Sequence, residues 1–129
     1  MRIRARLPRL NPPPVGDLPI LVGGAGEKVT LRLVARYADM WNAFGPVDHW
    51  AAKNKVLDDW CARLGRDPKE IERTVMLAHP REVANADAYV AAGAQHLILG
   101  MSPPFDLAPL EHLLAASRKD QGESGRAAG

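Results

Sequence analysis

Three glycines, Gly23, Gly24 and Gly26, follow the apolar run Pro19-Ile-Leu-Val22 and precede a helical pattern that opens at Glu27. Without Cβ atoms, the backbone of such a loop can approach a ligand closely and take positive φ. The N–H groups of the helix start point the same way, and the helix dipole favours an anion there by about 0.3–1 kcal/mol. The chemistry on offer is the seating of a cofactor phosphate, with Lys28 as an added charge or simply an exposed helix residue. The competing reading is a strand-to-helix turn that needs glycines for its own geometry. Two familiar phosphate loops fail on spacing. A Walker A loop needs four residues between its first glycine and a Gly-Lys pair, but Lys28 follows Glu27; a dinucleotide fingerprint from Gly24 needs glycine where Val29 stands.

The other reactive side chains form no constellation. His49, His79, His96 and His112 show no ligand spacing and no carboxylate joins them, so no metal site is expected. Ser102 stands before Pro103-Pro104 without a nucleophile-elbow pattern and reads as a loop residue. Cys61 lies at helical spacing from Leu57 and Leu64 and reads as a small core residue. No catalytic acid, base or nucleophile can be named.

The elements that must position the glycine loop alternate regularly. Strands are expected over 19–22, 40–44, 73–78 and 96–99, each followed by a helical pattern. The first helix, 27–38, gathers Leu31, Val34, Ala35 and Ala38 on one face. The second, 48–64, carries Trp50, Leu57, Trp60, Cys61 and Leu64 on one side and stops at Gly65. A capped turn starts at Asp67-Pro-Lys-Glu70. Helices over 81–92, ending at Gly93, and 106–116 complete the series. Strict β–α alternation predicts an α/β fold with a mostly parallel sheet and right-handed crossovers. Four such units are half of a (β/α)8 barrel, which takes about 250 residues.

Flanking this 18–116 body are a basic, proline-rich lead-in at 1–17, with Asn11-Pro-Pro-Pro14, and a polar tail at 117–129 expected to be disordered. Arg2, Arg4, Arg6 and Arg9 read as a solvated arm. The net charge of +2 on 129 residues implies neither nucleic acid nor an acidic partner. The single cysteine excludes an internal disulfide and fits a reducing cytosol. No apolar run approaches the ~18–20 residues of a membrane span, and no export signal is visible. The expectation is a soluble, cytoplasmic protein without a membrane partner.

Several segments together carry a family resemblance. Pro19-Ile-Leu-Val-Gly-Gly-Ala-Gly-Glu-Lys28, Thr30-Leu-Arg-Leu-Val-Ala-Arg-Tyr-Ala-Asp39 and Trp41-Asn42 are followed by Gly65-Arg-Asp-Pro-Lys-Glu-Ile-Glu72 and Ala88-Tyr-Val-Ala-Ala-Gly-Ala-Gln-His-Leu-Ile-Leu-Gly100. In this order they resemble the C-terminal half of the luciferase-like monooxygenase superfamily, closest to its coenzyme F-420-dependent, flavoprotein-like oxidoreductases. The resemblance spans about 12–114, and the segment His79-Pro-Arg-Glu-Val83 is shorter than the family pattern.

The resemblance implies a TIM-barrel half that holds coenzyme F-420, or alternatively FMN, at the carboxyl ends of its strands. Hydride transfer between the cofactor and a small organic substrate would be the reaction class. It implies cofactor contacts at Gly23, Gly24, Gly26, Asn42 and Phe44, with catalytic residues unassigned. Because active sites of such barrels sit where strands give way to helices, Asp39 and His96, which begin strands, are expected to make structural contacts. His79 follows a strand and can reach the mouth. Cut to half, the barrel would expose two sheet edges and its interior face. The fragment is then expected to be inactive alone, and to pair with another copy or a complementary N-terminal half. Failing that, it would be a marginally stable product of a broken reading frame. The alternative is a non-catalytic half-barrel that binds a small phosphorylated ligand or a partner chain.

Overall fold

The computed structural model describes residues 5–127. Four strands, β1 (Leu21–Gly23), β2 (Met40–Phe44), β3 (Glu72–Leu77) and β4 (His96–Leu99), form one sheet in the order β1-β2-β3-β4. Every pair is parallel, with Gly23 beside Asn42, Asn42 beside Thr74, and Thr74 beside His96. Between and after them lie α1 (Thr30–Tyr37), α2 (Val47–Leu64), α3 (Ala86–Ala91) and α4 (Ala108–Ala127). Short 3₁₀ turns occupy Leu7–Arg9, Pro68–Glu70 and Pro80–Asn85. This is the expected α/β architecture, a four-unit half-barrel.

The helices cover one face of the sheet. Leu31, Val34 and Ala35 of α1 and Trp50, Leu57 and Cys61 of α2 are buried against Trp41, Ala43, Val75 and Leu77 of the strands. Trp41 stacks on Trp50 at 5.4 Å, and Tyr89 of α3 meets the edge of Trp50 at 6.3 Å. The alternate strand positions, Leu21 and Gly23, then Met40, Asn42 and Phe44, look out on the uncovered face.

Several boundaries differ from the periodic pattern. Strand β1 starts at Leu21, because Ile20 is engaged at its entry: its N–H donates to Asp39 Oδ2 at 2.7 Å and its carbonyl accepts from Asp39 and Met40. Helix α1 starts at Thr30 and not at Glu27, since residues 27–29 form a turn and Leu31 N–H returns to the Gly26 carbonyl at 2.9 Å. The expected third helix is a 3₁₀ turn continued by the short α3. It ends at Gly93, whose φ is 109°. Helix α2 ends as its glycine suggests, with Gly65 at φ 69° receiving the left-handed cap. The segment expected to be a disordered tail continues α4 to Ala127. Its Arg118, Lys119 and Gln121 are good helix formers, and polar composition alone does not break a helix already started. No helix among the described residues is long and apolar enough to cross a membrane.

A candidate cofactor site at the strand tips

Because the sheet is parallel, the loop after β1 and the last residues of β2 share one rim. Gly23 is in register with Asn42, and Phe44 ends β2 two positions further along the same face. Gly23, Asn42 and Phe44 are therefore brought together, with Gly24 and Gly26 in the adjoining loop. Phe44 is 58% exposed, an unusual state for a large apolar side chain in a central strand. A Cβ at Gly23 would meet only the Asn42 carbonyl oxygen, at 3.9 Å, so the ground beside Asn42 is flat and open.

The loop itself is tightly held. Gly24 has φ 130°, a conformation that side chains rarely take. Its N–H donates to the Asn42 carbonyl at 3.0 Å, and its own carbonyl accepts from the Trp41 indole at 2.7 Å. Thr30, at the head of α1, fills the space beside the loop. A Cβ at Gly24 would come within 3.0 Å of Thr30 Cγ2, and one at Gly26 within 3.0 Å of Thr30 Oγ1. These two glycines let the helix head pack on the loop, and the Gly24 N–H is engaged inside the protein.

Asn42 rests on a residue that periodicity did not single out. Thr74, fully buried on β3, has its Oγ1 2.8 Å from the Trp41 carbonyl oxygen and 2.8 Å from Asn42 Oδ1. The Trp50 indole fixes Thr74 in turn, donating to its carbonyl at 3.1 Å. Parallel register is the signal that could have revealed this pair, since it sets Asn42 beside Thr74.

The charges nearest the loop turn toward the helices. The Glu27 carboxylate meets Lys53 at 2.7 Å, and that hydrogen bond holds it below its ordinary value. The Glu27 carbonyl accepts from the Trp60 indole at 2.7 Å. Lys28 lines a surface cleft with Asp59, Trp60 and Arg63 of α2.

At the tips of β3 and β4, His79 and Ser102 share a cleft of about 380 Å³ with Pro80, Gly100 and Met101. His79 is tied by its backbone, its N–H donating to Glu82 Oε2 at 3.2 Å while its carbonyl accepts from Glu82 at 2.9 Å. At the opposite rim, Asp39 accepts from Ile20, and His96 Nδ1 lies 3.2 Å from Glu72 Oε1. Both are structural contacts of the kind expected there. His49 and His112 are exposed on α2 and α4. Cys61 is fully buried, and desolvation pushes its thiol up, away from the thiolate a nucleophile needs. No group of three or more metal-ligating side chains occurs among the described residues. Arg6 and Arg9 are exposed, whereas Arg2 and Arg4 lie outside the described residues.

No protein-family model and no curated protein matches the chain. Ten solved chains do. One of them is an F420-dependent secondary alcohol dehydrogenase in complex with an F420–acetone adduct, with a TM-score of 0.60 and 14% identity over 75% of this chain. The match takes up 47% of that enzyme, so the chain spans less than half its length. At this identity the likeness is one of fold. The four consecutive parallel βα units thus share their fold with part of that chain.

Proposed function

We propose that this chain is the C-terminal part of a luciferase-like oxidoreductase, and that the open sheet face at Gly23, Asn42 and Phe44 receives coenzyme F-420, with FMN as the alternative. The observation that carries the reading is the meeting of these three residues on one rim of a sheet whose fold is shared with an F420-dependent enzyme. The residues fit a flat ring system. Gly23 leaves its ground clear, Phe44 offers an exposed aromatic surface, and Asn42 brings a polar side chain between them. They fit a phosphate less well at Gly24, whose N–H already serves Asn42. Any phosphate contact through Gly26 would lie further along the loop.

Bound there, the coenzyme would supply hydride transfer to a small organic substrate. The chain's own residues bind and orient. Phe44 and Gly23 would flank the ring, Asn42 would fix its polar edge, and the Trp41–Gly24 bond would keep the loop from shifting under it. Exclusion of water needs a cover over the open face, which a second copy or a complementary N-terminal half would provide. This reading places the protein in the cytoplasm without a nucleic-acid or membrane partner.

The experiment is titration of the purified chain with coenzyme F-420 and with FMN, followed by fluorescence. Saturable binding that falls on Asn42→Leu or Phe44→Ala substitution is the expected result. Absence of binding to both, by a folded chain, would overturn the reading. It would favour a non-catalytic half-barrel that binds a small phosphorylated ligand or a partner chain.

A further inference from the structure

The Thr74 hydroxyl carries one proton, yet two oxygens stand 2.8 Å away: the Trp41 carbonyl and Asn42 Oδ1. Both are carbonyl-type oxygens and can only accept. One of the two contacts would then bring oxygen lone pairs together with no proton between them. Thr74 is fully buried and cannot turn its hydroxyl to water. The Trp41 carbonyl belongs to the strand backbone, which the β2–β3 pairing holds in place. The Asn42 amide is the one group free to resolve the conflict, because its two ends have the same shape and exchange places by a half-turn.

We propose that Thr74 holds the Asn42 amide with Nδ2 on Thr74 Oγ1 and Oδ1 facing out over the open sheet face, so that this position takes a ligand group that donates a hydrogen bond, a hydroxyl or a ring N–H. The Thr74 hydroxyl then donates to the Trp41 carbonyl and accepts from Nδ2, and the conflict at the buried hydroxyl is removed. The bond to Thr74 is the one hydrogen bond the Asn42 amide makes among the described residues, so its outward end is open to solvent or a ligand. As an acceptor it disfavours a phosphate oxygen at this position. It suits a polyol chain or the N–H edge of a heteroaromatic ring lying over Gly23. Thr74 is then a positioning residue, acting through Asn42.

This inference rests on the proposed site, but its first test does not need a ligand. In ¹⁵N-labelled wild-type chain, the Asn42 Nδ2 protons should show cross-peaks to Thr74 side-chain protons, and one of them should exchange slowly with water. Both protons exchanging as in a free side chain, with no Thr74 cross-peak, would overturn the assignment. The second test uses riboflavin and 5-deazariboflavin, which carry ring and polyol but no phosphate. The isosteric Thr74→Val should weaken their binding about fivefold, the effect of one misaligned hydrogen bond. Thr74→Ser should stay within about twofold of wild type. A Thr74→Val chain, folded by circular dichroism, that binds as wild type does would overturn the positioning role. If wild type binds no flavin or deazaflavin at all, the cofactor reading falls, while the amide spectrum still decides the orientation.

Discussion

The Trp41 indole donates to the Gly24 carbonyl at 2.7 Å, tying the buried, helix-covered side of β2 to the glycine loop at the strand tips. Trp41 is fully buried and stacked on Trp50, so the loop inherits the rigidity of the core. Trp41→Phe keeps a ring but removes the donor and leaves a small void. It should lower stability by about 2–3 kcal/mol, the sum of a lost buried hydrogen bond and a partial cavity. Urea unfolding measures that loss. Amide exchange over residues 24–29 should accelerate by more than the global change, because the loop loses its anchor as well.

A second prediction concerns Arg73, 5% exposed on the helix-covered face of β3. Its guanidinium donates to Asp58 at 2.8 Å, to Asn54 Oδ1 at 2.5 Å, and to the carbonyls of Ile71 and Pro68 at 3.1 Å each. Arg73→Ala strands these acceptors and should cost about 3 kcal/mol in urea unfolding. Arg73→Lys should recover little, because a point charge cannot reproduce the fork. Asp58→Asn should cost under about 1 kcal/mol, since Asp58 is half-exposed and its pair is screened by solvent.

Arg73 also marks where sequence reasoning stops. The four strands, the parallel sheet and the buried face of α1 were legible because apolar spacing and glycine stops are local signals. Leu31, Val34 and Ala35 could be placed from their spacing alone. The late start of α1 was not legible: it depends on Leu31 reaching back to Gly26 and on Thr30 filling the loop, which are contacts of the folded chain. The meeting of Gly23, Asn42 and Phe44 followed from strand order and the rule that loops after parallel strands share a rim. Thr74 beneath Asn42, and Arg73 buried among helix residues, required the register, which alternation does not specify. The continuation of α4 past Ser117 was not legible, because low hydrophobicity speaks to packing and not to whether a helix already started goes on.

The Gly45–Tyr89 contact gives a prediction with an internal control. A Cβ at Gly45 would run into the Tyr89 hydroxyl. Gly45→Ala should therefore destabilise by about 1–3 kcal/mol through overpacking. Tyr89→Phe removes the obstructing oxygen, so the double variant should be more stable than the sum of the single effects. Strict additivity in thermal unfolding would show that the two residues do not touch.

Alkaline pH should weaken the fold in a defined window. Burial raises the Cys61 thiol above its ordinary value of 9.0 and the Tyr89 phenol above 10.0. Between the ordinary and raised values the unfolded chain has lost these protons and the folded chain keeps them. Stability is then full below pH 9 and declines as pH rises through 9 and 10. Urea midpoints measured on both sides of pH 9 test this. Cys61→Ala, whatever its overall cost, should flatten the first part of the decline, and an unchanged slope would refute the assignment.

The uncovered face carries the strongest prediction about the state of the chain in solution. Parallel sheets are normally buried on both faces, and unpaired edges invite pairing. Among the described residues β1 and β4 each have one free edge, and Leu21 and Phe44, 46% and 58% exposed, stand on the open side. Helix α4 adds the exposed Leu110 and Leu114, which line one cleft with Leu97 and Leu99 of β4, and Leu107 just before the helix is exposed as well. Two copies related by a twofold axis along the half-barrel would set each β4 beside the other's β1 and close both seams at once, which a single added strand could not do. Size-exclusion chromatography with light scattering should therefore give a dimer or larger species. Phe44→Lys should shift it toward monomer, by forcing a charge into the closed face. A sharply melting wild-type monomer at the same concentration would mean that the open face is stable in water as it stands, and the case for a covering partner would fail with it.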